Sequence, residues 1–353
     1  MNTGRKADSR PRKISESEVM ETTTVSDMIE IEQIDATAAL ASPASAAVSA
    51  TASAGSAAAA DETPSRWVDF YELTKPRMNF LVLVTTLVGF YMASGASSAA
   101  AGHINWIVLV PALIGTALCA AGASVLNQYI ERDLDKLMPR TRNRPVPAGR
   151  ITPGEAFATG VMLGVAGVVT LVLTVNLLTA LLGGLTLLLY VLLYTPLKRI
   201  TTLNTVIGAI PGAIPPVMGF TAVDNALSPG AIALFAILFI WQMPHFLAIA
   251  TLYKRDYALA GFKMLPVVDE ELSVTGRQIV LYSIALVPVS LMPVIVGLAG
   301  EAYFAIALML GLAFLSFGVS CAMTRTREDA RKLFFASIIY LPALLGVMML
   351  DRM

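Results

Sequence analysis

From residue 67 to the C-terminus, long apolar stretches alternate with short polar ones. Each apolar stretch is close to the ~20 residues a helix needs to cross the hydrocarbon core of a bilayer. The pattern predicts nine spans, over residues 78–95, 105–127, 154–174, 176–194, 203–221, 230–250, 278–298, 302–321 and 333–350. Only "VNLLT" separates the third from the fourth, so that boundary is weakly marked. The fifth contains "IGAIPGAIPPVMG" (207–219). Proline and glycine inside a span predict a kinked helix enclosed by other helices, because lipid offers no partner for freed backbone groups.

Composition agrees with the pattern. Charged residues make up 14% of the chain and apolar residues 56%, with a mean hydropathy of +0.69. A soluble domain carries about 25% charged residues, so an ordinary soluble protein is excluded. Residues 1–66 break the pattern. A mixed-charge opening, "GRKADSRPRK", and an acidic "EIEQID" lead into "ATAALASPASAAVSATASAGSAAAA". Such Ala/Ser sequence cannot bury enough side-chain surface to offset ordering entropy. The expectation is a disordered low-complexity tail over 1–66 ahead of a nine-span domain over 67–353. The early basic residues have no apolar segment behind them, unlike a signal peptide. Cys119 and Cys321 both lie in apolar runs and read as small buried hydrophobes.

The net charge is zero, but the charges are unevenly placed. After the tail, every Lys and Arg except Arg352 lies before the first span or in the loops after spans two, four, six and eight. By the positive-inside rule the N-terminus and these loops are expected in the cytoplasm and the C-terminus outside.

Orientation does not account for the acids. "NQYIERDLDKLMPRTRNRPVPAGR" (127–150) follows the second span. In a helix Asn127, Glu131 and Asp135, four residues apart, are displaced by about 40° around the axis and about 6 Å along it at each step. They share one face, offering an amide oxygen and carboxylates. Hard oxygen ligands of this kind suit Mg²⁺, which takes one or two protein carboxylates and completes its shell with water and phosphate oxygens. Asp133 points away: an arginine partner, a group behind the ligands, or a ligand if the helix ends early. Arg142 and Arg144 can clamp phosphate oxygens, in a loop stiffened by Pro145 and Pro147. The loop after span six, "TLYKRDYALAGFKMLPVVDEE", again combines bases and an acid, in Lys254, Arg255 and Asp256. Asp269, Glu270 and Glu271 read as a solvated turn. Lys198 is a further diphosphate contact or a simple orientation charge. His245 is the only histidine inside a span: a packing residue, a proton relay, or a group facing a porphyrin.

These blocks carry a resemblance. "NQYIERDLDKLMPRTRNRPVPAG", "YTPLKRITTLNTVIGAIPGAIPPVMG", "WQMPHF" and "YKRDYALAGFKMLPVV" occur in this order, and the chain over 67–350 resembles the UbiA superfamily of intramembrane prenyltransferases, most closely its haem-directed branch. The resemblance implies an all-α membrane protein of nine transmembrane helices around a central cavity, with a cytosolic cap from the loops after spans two and six. It implies a bacterial inner-membrane enzyme that moves the farnesyl group of farnesyl diphosphate onto haem B, giving haem O, with Mg²⁺ as cofactor. Haem A synthase or terminal-oxidase assembly would be its protein partners, and no nucleic acid is expected. Asn127, Glu131, Asp135 and Asp256 would be the metal and catalytic set. Arg142, Arg144, Lys198, Lys254 and Arg255 would bind diphosphate, and His245 would lie on the haem side. The superfamily's second motif usually has two aspartates four apart, whereas Asp256 is followed at that spacing by Ala260.

Two rivals remain in view. A quinone-pathway prenyltransferase would keep the chemistry and change the acceptor; "WQMPHF" and the single Asp256 weigh against it. A transporter would place its charges near the bilayer midplane, whereas here they cluster at one membrane face.

Overall fold

A computed structural model describes residues 65–96 and 104–353; the expected disorder of the tail falls outside the described residues except at Ser65 and Arg66, which instead begin a helix. Among the described residues nine helices are long and apolar enough to cross a membrane. They are Pro76–Ala96, Trp106–Asp135, Pro153–Thr174, the composite Leu177–Leu197, Asn204–Asp224, Pro229–Leu252, Ser273–Ile295, Glu301–Thr324 and Arg327–Leu350, called spans one to nine below. The weakly marked boundary is made by Asn176, whose side chain accepts from the Thr179 N–H and caps span four.

Two boundaries extend beyond the apolar pattern. Span two continues past Asn127 to Asp135, because the polar groups of its last two turns are paired within the protein. Span nine starts at Arg327 with a charged first turn, capped by Thr326.

The fifth span is helical throughout, although Pro211, Pro215 and Pro216 lie inside it. It is 72% buried, more than any other span, and packs against spans one, two, four and six. Span six plays the same part in the second half, touching spans five, seven and nine. Spans one and five approach so closely that side chains are excluded. A Cβ on Gly219 would fall 1.9 Å from the Thr86 carbonyl oxygen, and one on Gly89 2.0 Å from that of Pro216. Gly219→Ala therefore forces two backbones apart. It is expected to lower stability by about 1–3 kcal/mol, read as a lower melting temperature; an unchanged melt would refute this crossing.

A short helix, Arg66–Leu73, precedes span one and lies against span two. Arg150 holds its buried Asp69 at 2.7 Å, and Gln128 donates to the Leu73 carbonyl at 2.7 Å. Arg66 pairs with Glu155 of span three. The helix thereby fixes Lys75, in the left-handed region at φ 49°, beside the end of span two.

The charged loops after spans two and six meet. Met138 packs with Ala250, Ala260, Phe262 and Met264, and Leu134 and Tyr257 join this cluster. The Arg140 guanidinium lies over the Tyr253 ring at 4.8 Å. Two short helices, Lys254–Leu259 and Leu265–Val268, build this cap over the ends of the spans.

Candidate active site

Asn127, Glu131 and Asp135 do share one face, and all three are buried at the loop end of span two. Charge burial of this kind is costly without partners, and each group has one. Lys198 Nζ donates to Glu131 Oε1 at 2.7 Å. Arg144 donates to Asp135 Oδ2 at 2.8 Å. Asn127 accepts from Lys75 Nζ at 3.3 Å and donates to Thr195 Oγ1 at 3.1 Å. Asp133 is exposed and paired with Lys136 at 3.1 Å and Arg132 at 3.7 Å, so of its three readings the arginine partner is the one present.

Two of these partners, Thr195 and Lys198, come from the end of span four, where the helix changes pitch. Residues Leu189–Tyr194 form a π-turn, an irregularity often found at functional sites. Thr195 donates both its N–H and its hydroxyl to the Tyr190 carbonyl, the hydroxyl at 2.8 Å, and the same hydroxyl accepts from Asn127. Lys198 follows, with its ammonium 4.6 Å from the centre of the Tyr194 ring and 5.6 Å from that of Phe262. Burial lowers the Lys198 pKa, but the Glu131 carboxylate together with Tyr194 and Tyr190 outweighs it and holds the amine well above the ordinary lysine range. Lys198 also links the two halves: its carbonyl accepts from the Lys263 N–H at 2.7 Å, and Asn204 donates to the Lys263 carbonyl at 3.0 Å.

Lys75 is the site residue the sequence reading missed. Burial, then the nearby charges of Arg144 and Lys198, pull its pKa down to about 7, although Glu131 and Asp135 oppose them. Lys75, Arg144 and Lys198 thus form a basic arc over the two acids, poised for a polyanion that would favour their charged forms.

The second loop contributes less directly. Asp256 lies in the first turn of Lys254–Leu259 and is half-buried. Its neighbour Tyr257 packs in the cluster containing Leu134 and Met138, so Asp256 is at the same end of the bundle as Glu131 and Asp135. Among the described residues, however, no group of three His, Cys, Asp or Glu side chains is placed to hold a metal. Lys254 turns away from the acids and donates to the carbonyls of Asp269 and Glu270 at 3.4 and 3.2 Å. Arg142 and Arg255 are exposed. Asp269 is not simply a solvated acid: its carboxylate accepts from the Thr275 N–H and hydroxyl at 2.7 and 2.8 Å. Partial burial would raise its pKa, but these hydrogen bonds prevail and lower it.

One observation bears on a metal. Asp135 Oδ1 is buried and has no hydrogen-bond partner. An orphaned carboxylate oxygen beside a second carboxylate fits a hard cation that completes its shell with water and ligand oxygens.

Residues 82–339 match the UbiA prenyltransferase family. The chain belongs to this family. It is 49% identical to a protoheme IX farnesyltransferase of Solibacter usitatus, over 80% of this chain and 98% of that protein. It is 43% identical to one of Myxococcus xanthus, over 84% and 98% respectively. Its fold is similar to that of a digeranylgeranylglyceryl phosphate synthase (TM-score 0.66, 16% identity, 81% of this chain and 98% of that one). It is also similar to a UbiA homologue from Archaeoglobus fulgidus bound to GPP and Mg²⁺ (TM-score 0.55, 18% identity, 79% and 99%).

For a UbiA prenyltransferase, His245 is the most distinctive residue away from the acid cluster. Its ring stacks between Trp241 at 4.9 Å and Phe334 at 5.2 Å. Nδ1 meets the Ser337 hydroxyl at 2.7 Å, and Trp241 donates to the Ser337 carbonyl at 2.9 Å. The histidine therefore bridges spans six and nine in an aromatic setting, with Nε2 left without a hydrogen bond among the described residues.

Proposed function

We propose that this prenyltransferase transfers the farnesyl group of farnesyl diphosphate to a vinyl group of haem B, giving haem O and diphosphate. The observation that carries this reading is near-full-length similarity to protoheme IX farnesyltransferases at 49% and 43% identity. The buried acid–base cluster supports the diphosphate half of the reaction.

The costly step is breaking the allylic C–O bond. Bound Mg²⁺ would supply Lewis-acid stabilisation of the departing diphosphate. Glu131 and Asp135 would hold it, with Asn127 and Asp256 beside them. In the free protein these acids are neutralised by Lys198 and Arg144. With substrate and cation bound, the acids would be released to hold the cation, and Lys198, Arg144 and Lys75 would be free to donate to phosphate oxygens. These donors already lie in one buried cluster, so once they have changed partners on binding their charge faces the leaving group as its own charge develops. Arg142 and Arg255 would complete the basic rim around bound substrate, and Lys254 would join them only by leaving the Asp269 and Glu270 carbonyls.

The prenyl chain lies among apolar side chains of the spans, away from water that would quench its cation-like carbon. The vinyl group supplies an electron pair to that carbon and a C–C bond forms. Water adds at the neighbouring vinyl carbon and releases one proton. Farnesyl diphosphate, haem B and water thus give haem O and diphosphate. His245, its ring faces covered by Trp241 and Phe334, would meet the acceptor through Nε2, on the haem side. The charged loops face the cytoplasm and the C-terminus lies outside, in a bacterial inner membrane. Haem A synthase or terminal-oxidase assembly is the expected consumer of the product.

Purified protein in lipid, given labelled farnesyl diphosphate, haem B and Mg²⁺, is expected to yield haem heavier by one farnesyl group plus one hydroxyl. Label transfer only to a hydroxybenzoate or naphthoate would replace this reading with the quinone-pathway one.

A further inference from the structure

A second basic site lies away from this cluster. At the charged-loop end, spans seven and eight flank a cavity of about 310 Å³, lined by Ser273, Gly276, Arg277, Val280, Ala322 and Arg325. The helices approach closely at its level: a Cβ on Gly276 would lie 3.1 Å from Ala322 Cα. The walls are therefore small or apolar, and the polar lining is a serine and two arginines.

Those arginines lack carboxylate partners. Among the described residues Arg277 makes no hydrogen bond or ion pair, and Arg325 makes only a 3.4 Å contact to the Glu271 carbonyl. The neighbouring acid Asp329 is already taken by Lys332, Thr324 and Thr326. The cavity is also distinct from the acid–base cluster. The turn at 269–271 intervenes, with its first two carbonyls taken by Lys254 and its third by Arg325. On the other side the lining continues into an apolar surface: Leu281 is 58% exposed and Met323 79%.

Two guanidinium groups without carboxylate partners, next to an apolar wall and at the level where a span meets the headgroups, define the ligand's chemistry. It is a phosphate with hydrocarbon attached. A zwitterionic headgroup brings its own ammonium, so two arginine charges favour a net-anionic one. We propose that this cavity binds an anionic phospholipid, with Arg277 and Arg325 holding the phosphate and the acyl chains descending along Val280 and Leu281.

The test uses full-length protein in mixed phosphatidylglycerol–phosphatidylcholine nanodiscs, with bound lipid counted by native mass spectrometry after release. Wild type is expected to retain phosphatidylglycerol over phosphatidylcholine. The R277Q/R325N variant is expected to retain about tenfold less, the loss of a charge-assisted clamp. Asn tolerates the left-handed backbone at position 325, where φ is 55°. R277Q alone changes one exposed side chain and is expected to give an intermediate loss, which guards against a folding defect in the double variant. Equal retention by wild type and both variants would overturn the proposal. Displacement of phosphatidylglycerol by millimolar inorganic phosphate would also overturn it, assigning the cavity to free phosphate instead.

Discussion

Asp135→Asn is expected to cut farnesyl transfer by about 10²–10³-fold, the usual cost of removing one preorganised charge-stabilising group, while the protein stays folded. The expectation rests on the unequal surroundings of the two carboxylate oxygens. Oδ2 accepts from Arg144 at 2.8 Å, and Oδ1 is buried without a partner. An asparagine here would turn its carbonyl oxygen toward Arg144, because its NH₂ group and the guanidinium are both donors. The NH₂ would then occupy the orphan position and present a donor where a cation needs an acceptor. Arg144 is 23% exposed and keeps access to water. The hydrogen bond from Thr141 to the Asp135 carbonyl uses main chain and survives. Size-exclusion and melting behaviour should therefore be close to wild type. Initial rates over a Mg²⁺ titration are the measurement, and saturating Mg²⁺ should not restore them. A wild-type rate would remove Asp135 from the metal site.

The spans were legible because the bilayer imposes one strong requirement, apolar length, and the sequence meets it nine times with little ambiguity. The Asn127–Glu131–Asp135 face was legible for a related reason: a four-residue period needs only helix geometry. Positions that depend on how one segment lies against another were not. Lys75 reads as an ordinary charge before a span, and its contact with Asn127 exists because Arg150 and Gln128 fix the helix ahead of it. Lys254 looked equivalent to Arg144 in composition, yet it turns to the carbonyls of the 269–271 turn, since spacing along a loop carries no direction. Asp269 could not be told from Glu270 and Glu271 until the first turn of span seven was seen to donate to it. The π-turn in span four left no signal in "LYVLLY", which suits an α-helix equally well.

That π-turn delivers Lys198, where the largest stability effect is expected. Lys198→Met should destabilise the protein by about 3–5 kcal/mol, because removing one partner leaves the other as an uncompensated buried charge. The side chains of Lys198 and Glu131 are only 10% and 6% exposed, so water offers Glu131 little relief. Methionine keeps the length of the lysine stem, and the loss is then one of charge pairing rather than volume. Adding Glu131→Gln removes the stranded charge and is expected to recover most of that stability, since a buried pair replaced on both sides is often near neutral. Activity should not recover with it. The double variant has lost a carboxylate for the cation and an ammonium for the diphosphate, and turnover should stay at least about a hundredfold down. Melting temperature and rate, measured on wild type, both single variants and the double, therefore separate two roles of one ion pair. Recovery of the rate together with stability would mean that Lys198 and Glu131 only hold spans two and four together, and that the reaction draws its charges from elsewhere.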